Sequence, residues 1–177
     1  MAQISVFFLY LRTSAVILLL LILSIFSGCK KENTVTSDDG SLLIPLSGVS
    51  EIVSFFSAVV DEVYMEVLAV KAADGAIRIA FNTCERCYSS GNGSFLQEED
   101  ELICLQCNMR SSIDSVGIMP EDANAADESR KYSSGCRPIL ISDEGITMDE
   151  KYIRISIETL SENTQWFENW KREDVSQ

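Results

Sequence analysis

Histidine is absent from the 177 residues, and that absence removes whole classes of chemistry. There is no Ser-His-Asp or Cys-His nucleophile pair, no histidine-ligated catalytic zinc, no blue-copper site and no histidine-ligated haem. Basic residues are scarce as well: 14 Lys and Arg stand against 27 Asp and Glu, for a formal charge of −13. A phosphate backbone is bound by Lys and Arg, so nucleic acid is not an expected partner. No Gly-rich phosphate loop, nucleotide fingerprint or internal repeat is present. Long apolar runs are lacking too. The run Val16–Phe26 (VILLLLILSIF) is about eleven residues, in the range of a signal-peptide core and short for a membrane span. Thiolate and carboxylate remain for chemistry, and the six cysteines come first.

Residues 1–28 carry Arg12 as their only charge, and the apolar run ends at Phe26-Ser27-Gly28-Cys29. Small residues just before a cysteine, after such a run, resemble the lipobox of bacterial lipoproteins, with Phe26 where Leu is usual. Cys29 is then the lipidated residue. The other reading is an uncleaved helix from Val6 to Ser27 with Arg12 snorkelling to the interface. Both place the remainder outside the cytoplasmic membrane, in the cell envelope, facing the periplasm or exterior. All of the acidity then belongs to the exported part. Lys30–Gly40 (KKENTVTSDDG) is polar and aperiodic, which reads as a flexible tether. The expected organisation is a lipoprotein signal peptide over 1–28, a tether over 29–40, and one cysteine-rich domain over 41–177.

Within that domain the pattern is mostly of short strands. Leu42–Ile44 is closed by Pro45, Ile52–Val60 is apolar and β-branched or aromatic, and Val63–Lys71 alternates, with Val63, Met65, Val67 and Ala69 on one face. Asp74-Gly75 then predicts a hairpin into Ala76–Phe81, and Gly91-Asn92-Gly93 is a second hairpin cue. Gln97–Glu101 is an acidic turn, and Met119–Ser134 is polar and irregular, a surface loop. Ile139–Ile141 and Tyr152–Ile157 are again strand-like. Thr159–Arg172, opening at Ser161 and Glu162, predicts a helix whose Leu160, Trp166, Phe167 and Trp170 lie on the sheet. The class is β-rich α+β: a small antiparallel sheet, a two-knuckle metal site and a C-terminal helix.

The strongest signal is Cys84-x₂-Cys87, sixteen residues, then Cys104-x₂-Cys107. Two residues between ligands let the chain fold into a knuckle, with both sulfurs converging and backbone N–H groups pointing back at them. Two knuckles brought together give four thiolates around a tetrahedral ion. Asn108 follows the second knuckle and tolerates positive φ; Tyr88 holds the equivalent place in the first. Three other readings compete: two disulfides, a structural zinc ribbon, and a thiol–disulfide oxidoreductase. Cys136, in Ser134-Gly135-Cys136-Arg137-Pro138, is held in a stiff turn as a ligand, a resolving thiol or a packing residue. A fifth cysteine suits a cluster better than a single ion. The carboxylate runs Glu98–Glu101 and Glu121-Asp122 read as solvated turns.

The run from Ile77 to Tyr88 (IRIAFNTCERCY), the acidic stretch before Leu102–Cys107 (LICLQC), and Gly135-Cys136-Arg137-Pro138 resemble the FtrD-like membrane iron–sulfur-containing proteins, over about Leu42 to Leu160. The family usually has Asp at the position of Asn82, Gly at that of Asn108, and Gly-Gly-Cys-Asn-Pro around Cys136. Many relatives carry several membrane spans ahead of the domain, where here a lipid anchor would substitute. The resemblance implies an iron–sulfur cluster or iron (alternatively zinc) held by Cys84, Cys87, Cys104 and Cys107, with Cys136 next. It also implies electron transfer or metal binding more than catalysis, beside a bacterial ferrous-iron uptake system. The expected partners are a membrane reached through the lipid anchor and an iron permease or other envelope redox protein.

Overall fold

The computed structural model describes residues 35–118 and 136–171. The signal peptide, Cys29, the start of the tether and the Met119–Ser134 loop lie outside the described residues. Three antiparallel sheets make up the described fold. The first contains β1 (Val35–Thr36), β2 (Leu42–Pro45), β10 (Ile146–Met148) and β11 (Tyr152–Ile155), ordered β1-β2-β11-β10. The second contains β3 (Ser54–Val60), β4 (Val63–Lys71), β5 (Ile77–Cys84) and β9 (Pro138–Ile139), in that order. The third is β6 (Phe95–Glu98), β7 (Glu101–Cys104) and β8 (Arg110–Ser112).

The second sheet is buried on both faces. Met65, Val67 and Ala69 of β4, with Phe56 and Ala58 of β3 and Phe81 of β5, meet Leu42, Ile44, Ile153 and Ile155 of the first sheet in one apolar core. Leu68, Val70 and Ala80, on the opposite face by strand alternation, belong to a second core with Phe95, Leu102, Cys84 and Cys104. The alternation of Val63, Met65, Val67 and Ala69 is thus seen as expected, and the reverse face of β4 is buried as well.

The turns follow local chemistry. Asp61 and Glu62 join β3 to β4 with φ of 51° and 66°, the two-residue hairpin geometry that twisted antiparallel strands favour. Gly75 has φ 83° in the Asp74-Gly75 turn that was expected. Glu99 (φ 54°) turns β6 into β7. Its neighbours Glu98 and Glu101 both pair with Arg110, at 2.7 and 3.0 Å, a solvated acidic turn.

Two expectations are corrected. Val35 and Thr36, inside the stretch read as a tether, pair with Leu43 and Leu42, and Arg154 binds Asp39 at 3.2 Å; the fold begins before Ser41. The C-terminal helix, α1, spans Ile157–Glu162 rather than starting at Ser161. Ser156 is its cap, its hydroxyl accepting from the Thr159 N–H at 3.2 Å. Asn163 ends it, donating to the Thr159 carbonyl at 2.8 Å and accepting from the Trp166 indole at 3.1 Å. The aromatics beyond it pack onto the domain: Phe167 is buried edge-on to Phe81, Trp170 stacks on Tyr64, and Trp166 stands edge-on to Tyr88.

Candidate metal centre

The site lies in the second core, where β5 and β7 each end in a cysteine. Cys84 is the last residue of β5 and Cys104 the last of β7, and both are fully buried. Between Phe81, paired with Ile139, and Cys84, paired with Pro138, the register shifts. This irregularity spans Asn82 and Thr83 and re-aims the end of the strand, as bulges do beside functional sites.

The second knuckle closes as a tight turn. The Asn108 N–H donates to the Cys104 carbonyl at 2.8 Å, with Asn108 at φ 57°. The N–H groups of Gln106 and Cys107 point at the Cys104 sulfur, the arrangement that a metal-bound thiolate uses. The first knuckle is built differently. Cys87 N–H donates to the Cys84 carbonyl at 3.1 Å, a 3₁₀ turn follows over Tyr88–Ser90, and Gly91 (φ 81°) takes the left-handed position.

Gly91-Asn92-Gly93 is therefore not the hairpin expected between the knuckles. The actual hairpin is β6–β7, and the two glycines form the back of the first knuckle. A side-chain carbon on Gly93 would meet the Cys87 backbone at 3.1 Å and that of Tyr88 at 3.2 Å. One on Gly91 would collide with the Asn169 carbonyl, which fits the 2.7 Å bond from the Lys171 N–H to the Gly91 carbonyl.

All five cysteines of the described residues converge. The sulfurs of Cys84, Cys87 and Cys136 lie within 4.8 Å of one another, and so do those of Cys87, Cys104 and Cys107. Cys107 and Cys136 approach to 3.1 Å, and none of the five is in a disulfide. Cys136 is fixed against the first knuckle: Pro138 sits across from Cys84, the Glu85 N–H donates to the Arg137 carbonyl at 3.1 Å, and Arg137 pairs with Glu85 at 2.8 Å. The floor is buried and the rim open, because Cys107 is exposed and Cys87 half-buried.

Crowding sets the thiol chemistry. Burial, then the neighbouring Cys107 thiol, pushes the Cys87 thiol up to about 12. The Cys84 thiol and burial raise that of Cys104, against the pull of the two backbone N–H groups. Burial and the Cys107 thiol raise that of Cys136. At these three cysteines protein groups alone do not favour the thiolate; a bound cation reverses that balance.

The cysteine spacing points to the sulfurs, but what supports them is not legible in it. Asn82, 2 % exposed, accepts from the Phe95 N–H at 2.9 Å and donates to the Glu66 carboxylate at 2.6 Å. One side chain thus ties β5 to β6 and β4 beside the knuckles. Its signal was its position two residues along β5 from Ala80, on the face of the second core.

The donor set fits a thiophilic metal: five sulfurs, spaced as sulfur ligands are around zinc or iron, with no imidazole in the chain. A small β-rich domain with a sulfur-lined site able to hold metal is the class of protein that the fold and site define. Within that class, the family model for membrane iron–sulfur-containing proteins of the FtrD-like type matches residues 50–167, two thirds of the chain. The chain belongs to this family. No curated protein and no solved structure matches it.

Proposed function

We propose that this chain is an iron–sulfur or iron-binding protein of the bacterial envelope, anchored to a membrane through Cys29, that passes electrons or iron to an uptake complex. The observation that carries the reading is the convergence of five cysteine sulfurs from three separate segments of the chain. The family's description as membrane iron–sulfur proteins supports it. Iron held by thiolates supplies a one-electron couple. The residues contribute the rest: Cys84, Cys104 and Cys136 hold the buried side, while Cys107 brings the centre to the surface. A permease or redox partner would approach from that rim, and the acidic domain suits a cationic partner or metal.

The same donor set serves a structural zinc ion, the second reading. In that reading the chain is a lipid-anchored interaction module, and the packing of Trp166, Phe167 and Trp170 onto the domain argues against those aromatics as its docking surface. A thiol–disulfide oxidoreductase is less well supported. Such catalysts depress a thiol at a helix N-terminus, whereas a 3₁₀ turn follows Cys87 and its thiol is pushed up.

The test is anaerobic purification of the full chain, with iron, zinc and acid-labile sulfide quantified beside visible and EPR spectra. A coloured preparation with iron is expected. A colourless preparation with zinc alone overturns the iron reading, and alkylation trapping that found a reversible Cys84–Cys87 disulfide without metal would favour the oxidoreductase.

A further inference from the structure

We propose that the centre holds two metal ions, with the Cys87 sulfur shared between them. This rests on the reading of the five thiols as a metal centre, but not on which metal occupies it. A single tetrahedral ion takes four sulfurs, about 3.8 Å apart at the usual metal–sulfur distance. Five converge here, and Cys87 belongs to sets of three with Cys84 and Cys136, with Cys104 and Cys107, and, across these two, with Cys107 and Cys136. It is within 4.8 Å of each of the other four. Three thiolates around one ion lie about 4.0 Å apart at the same bond length, inside the 4.8 Å that bounds each set.

Cys136 is no bystander in this arrangement. Its sulfur is 3.1 Å from that of Cys107, and the Arg137–Glu85 ion pair and the pairing of Pro138 with Cys84 hold its segment against the first knuckle. Charge points the same way. Five thiolates around one divalent ion leave three uncompensated negative charges in a half-buried pocket, which a protein does not tolerate without partners. Two divalent ions reduce the excess to one. With a single ion, the fifth sulfur stays a thiol pressed against four thiolates.

The experiment titrates the metal-free full chain with cadmium(II) enriched in its NMR-active isotope, following stoichiometry by native mass spectrometry and the metal by NMR. Two ions per chain are expected, giving two resonances in the thiolate region split by mutual scalar coupling through the common sulfur. Cys136→Ser should lower the stoichiometry from two to one. Cys87→Ser should abolish the coupling, and circular dichroism shows whether either variant keeps its fold. One ion per chain, two uncoupled ions, or an unchanged count in Cys136→Ser each overturns the proposal. The outcome is separable from the functional reading. One bound cadmium ion with iron in the isolated protein keeps the iron reading and sinks this one; two coupled ions with only zinc in the isolated protein does the reverse.

Discussion

The two cores of this domain share a sheet but not a chemistry. The first, between the first and second sheets, is apolar and free of thiols: Leu42, Ile44, Phe56, Met65, Phe81, Ile153 and Ile155. The second, on the opposite face of the second sheet, closes over strands of four, four and three residues, and three of its buried members are Cys84, Cys104 and Cys136. Burial of apolar surface sustains the first without help. In the second, crowded thiols replace part of that surface, and their stabilising value depends on what they bind. The same second sheet is therefore packed by apolar side chains on one side and partly by thiols on the other.

Metal removal should separate the two cores most strongly. Chelation of the loaded chain is expected to strip hydrogen-exchange protection from β6–β8 while β2–β4 and β11 remain protected, because binding energy at such sites is folding energy for the segments that supply the ligands. Equal loss in both regions would show that the cores are not independent. The two forms should also differ with pH. The raised Cys87 thiol is protonated in the metal-free fold, so its contribution is present below its ordinary value of 9.0 and is lost as pH rises toward about 12. Metal-free chain should thus lose stability over that alkaline range, and metal-loaded chain, its thiolates already formed, should lose less. Thermal melts of both forms from pH 8 upward check the sign.

Phe81→Ala is the reciprocal perturbation. Phe81 is fully buried in the first core, edge-on to Phe167 at 5.7 Å, and its truncation should cost about 3–5 kcal/mol. Denaturant unfolding of the metal-free protein measures this. A loss under about 1 kcal/mol would mean that the first core does not carry the fold.

Much of the first core was readable because apolar residues at every second position mark the strand face that it buries. Val63–Lys71 and Ala76–Phe81 were found in this way, and Asp74-Gly75 gave the turn between them. The cysteine spacing gave the knuckles. What escaped was long-range or locally ambiguous. Gly91-Asn92-Gly93 carries hairpin chemistry, yet close contacts with Cys87, Tyr88 and Asn169 claim its glycines. The C-terminal aromatics have helical spacing, but the Asn163 side chain ends the helix at Glu162. Asn82 stands out in the sequence only against the family's usual Asp, and only the arrival of Phe95 and Glu66 from other strands makes it a tie between sheets.

Asn82→Ala tests that tie and should fall between Phe81→Ala and a surface change. Two hydrogen bonds are lost, one of them to a carboxylate, and the Phe95 N–H is left buried without its partner. The expected cost is about 1–3 kcal/mol. The loss should concentrate in β6, read as faster hydrogen exchange at Phe95, with the first core unaffected. Stability within about 0.5 kcal/mol of the parent would show that the two strands need no such link.

The smallest effect should distinguish the two knuckles themselves. The second is closed by Asn108 in the left-handed region, the first by Gly91 after a 3₁₀ turn. Asn is among the few side chains that visit this region readily, and Gly visits it without steric cost. Asn108→Gly should therefore leave stability within about 0.5 kcal/mol, whereas Asn108→Val should cost about 1–2 kcal/mol through its branched Cβ. Because Cys104 and Cys107 belong to that turn, Val should also weaken cadmium binding while Gly does not. If Val and Gly behave alike, the metal rather than the backbone sets the shape of the second knuckle. Gly91→Val would disturb the packing on Asn169 as well, so Asn108 is the position where backbone preference can be read alone.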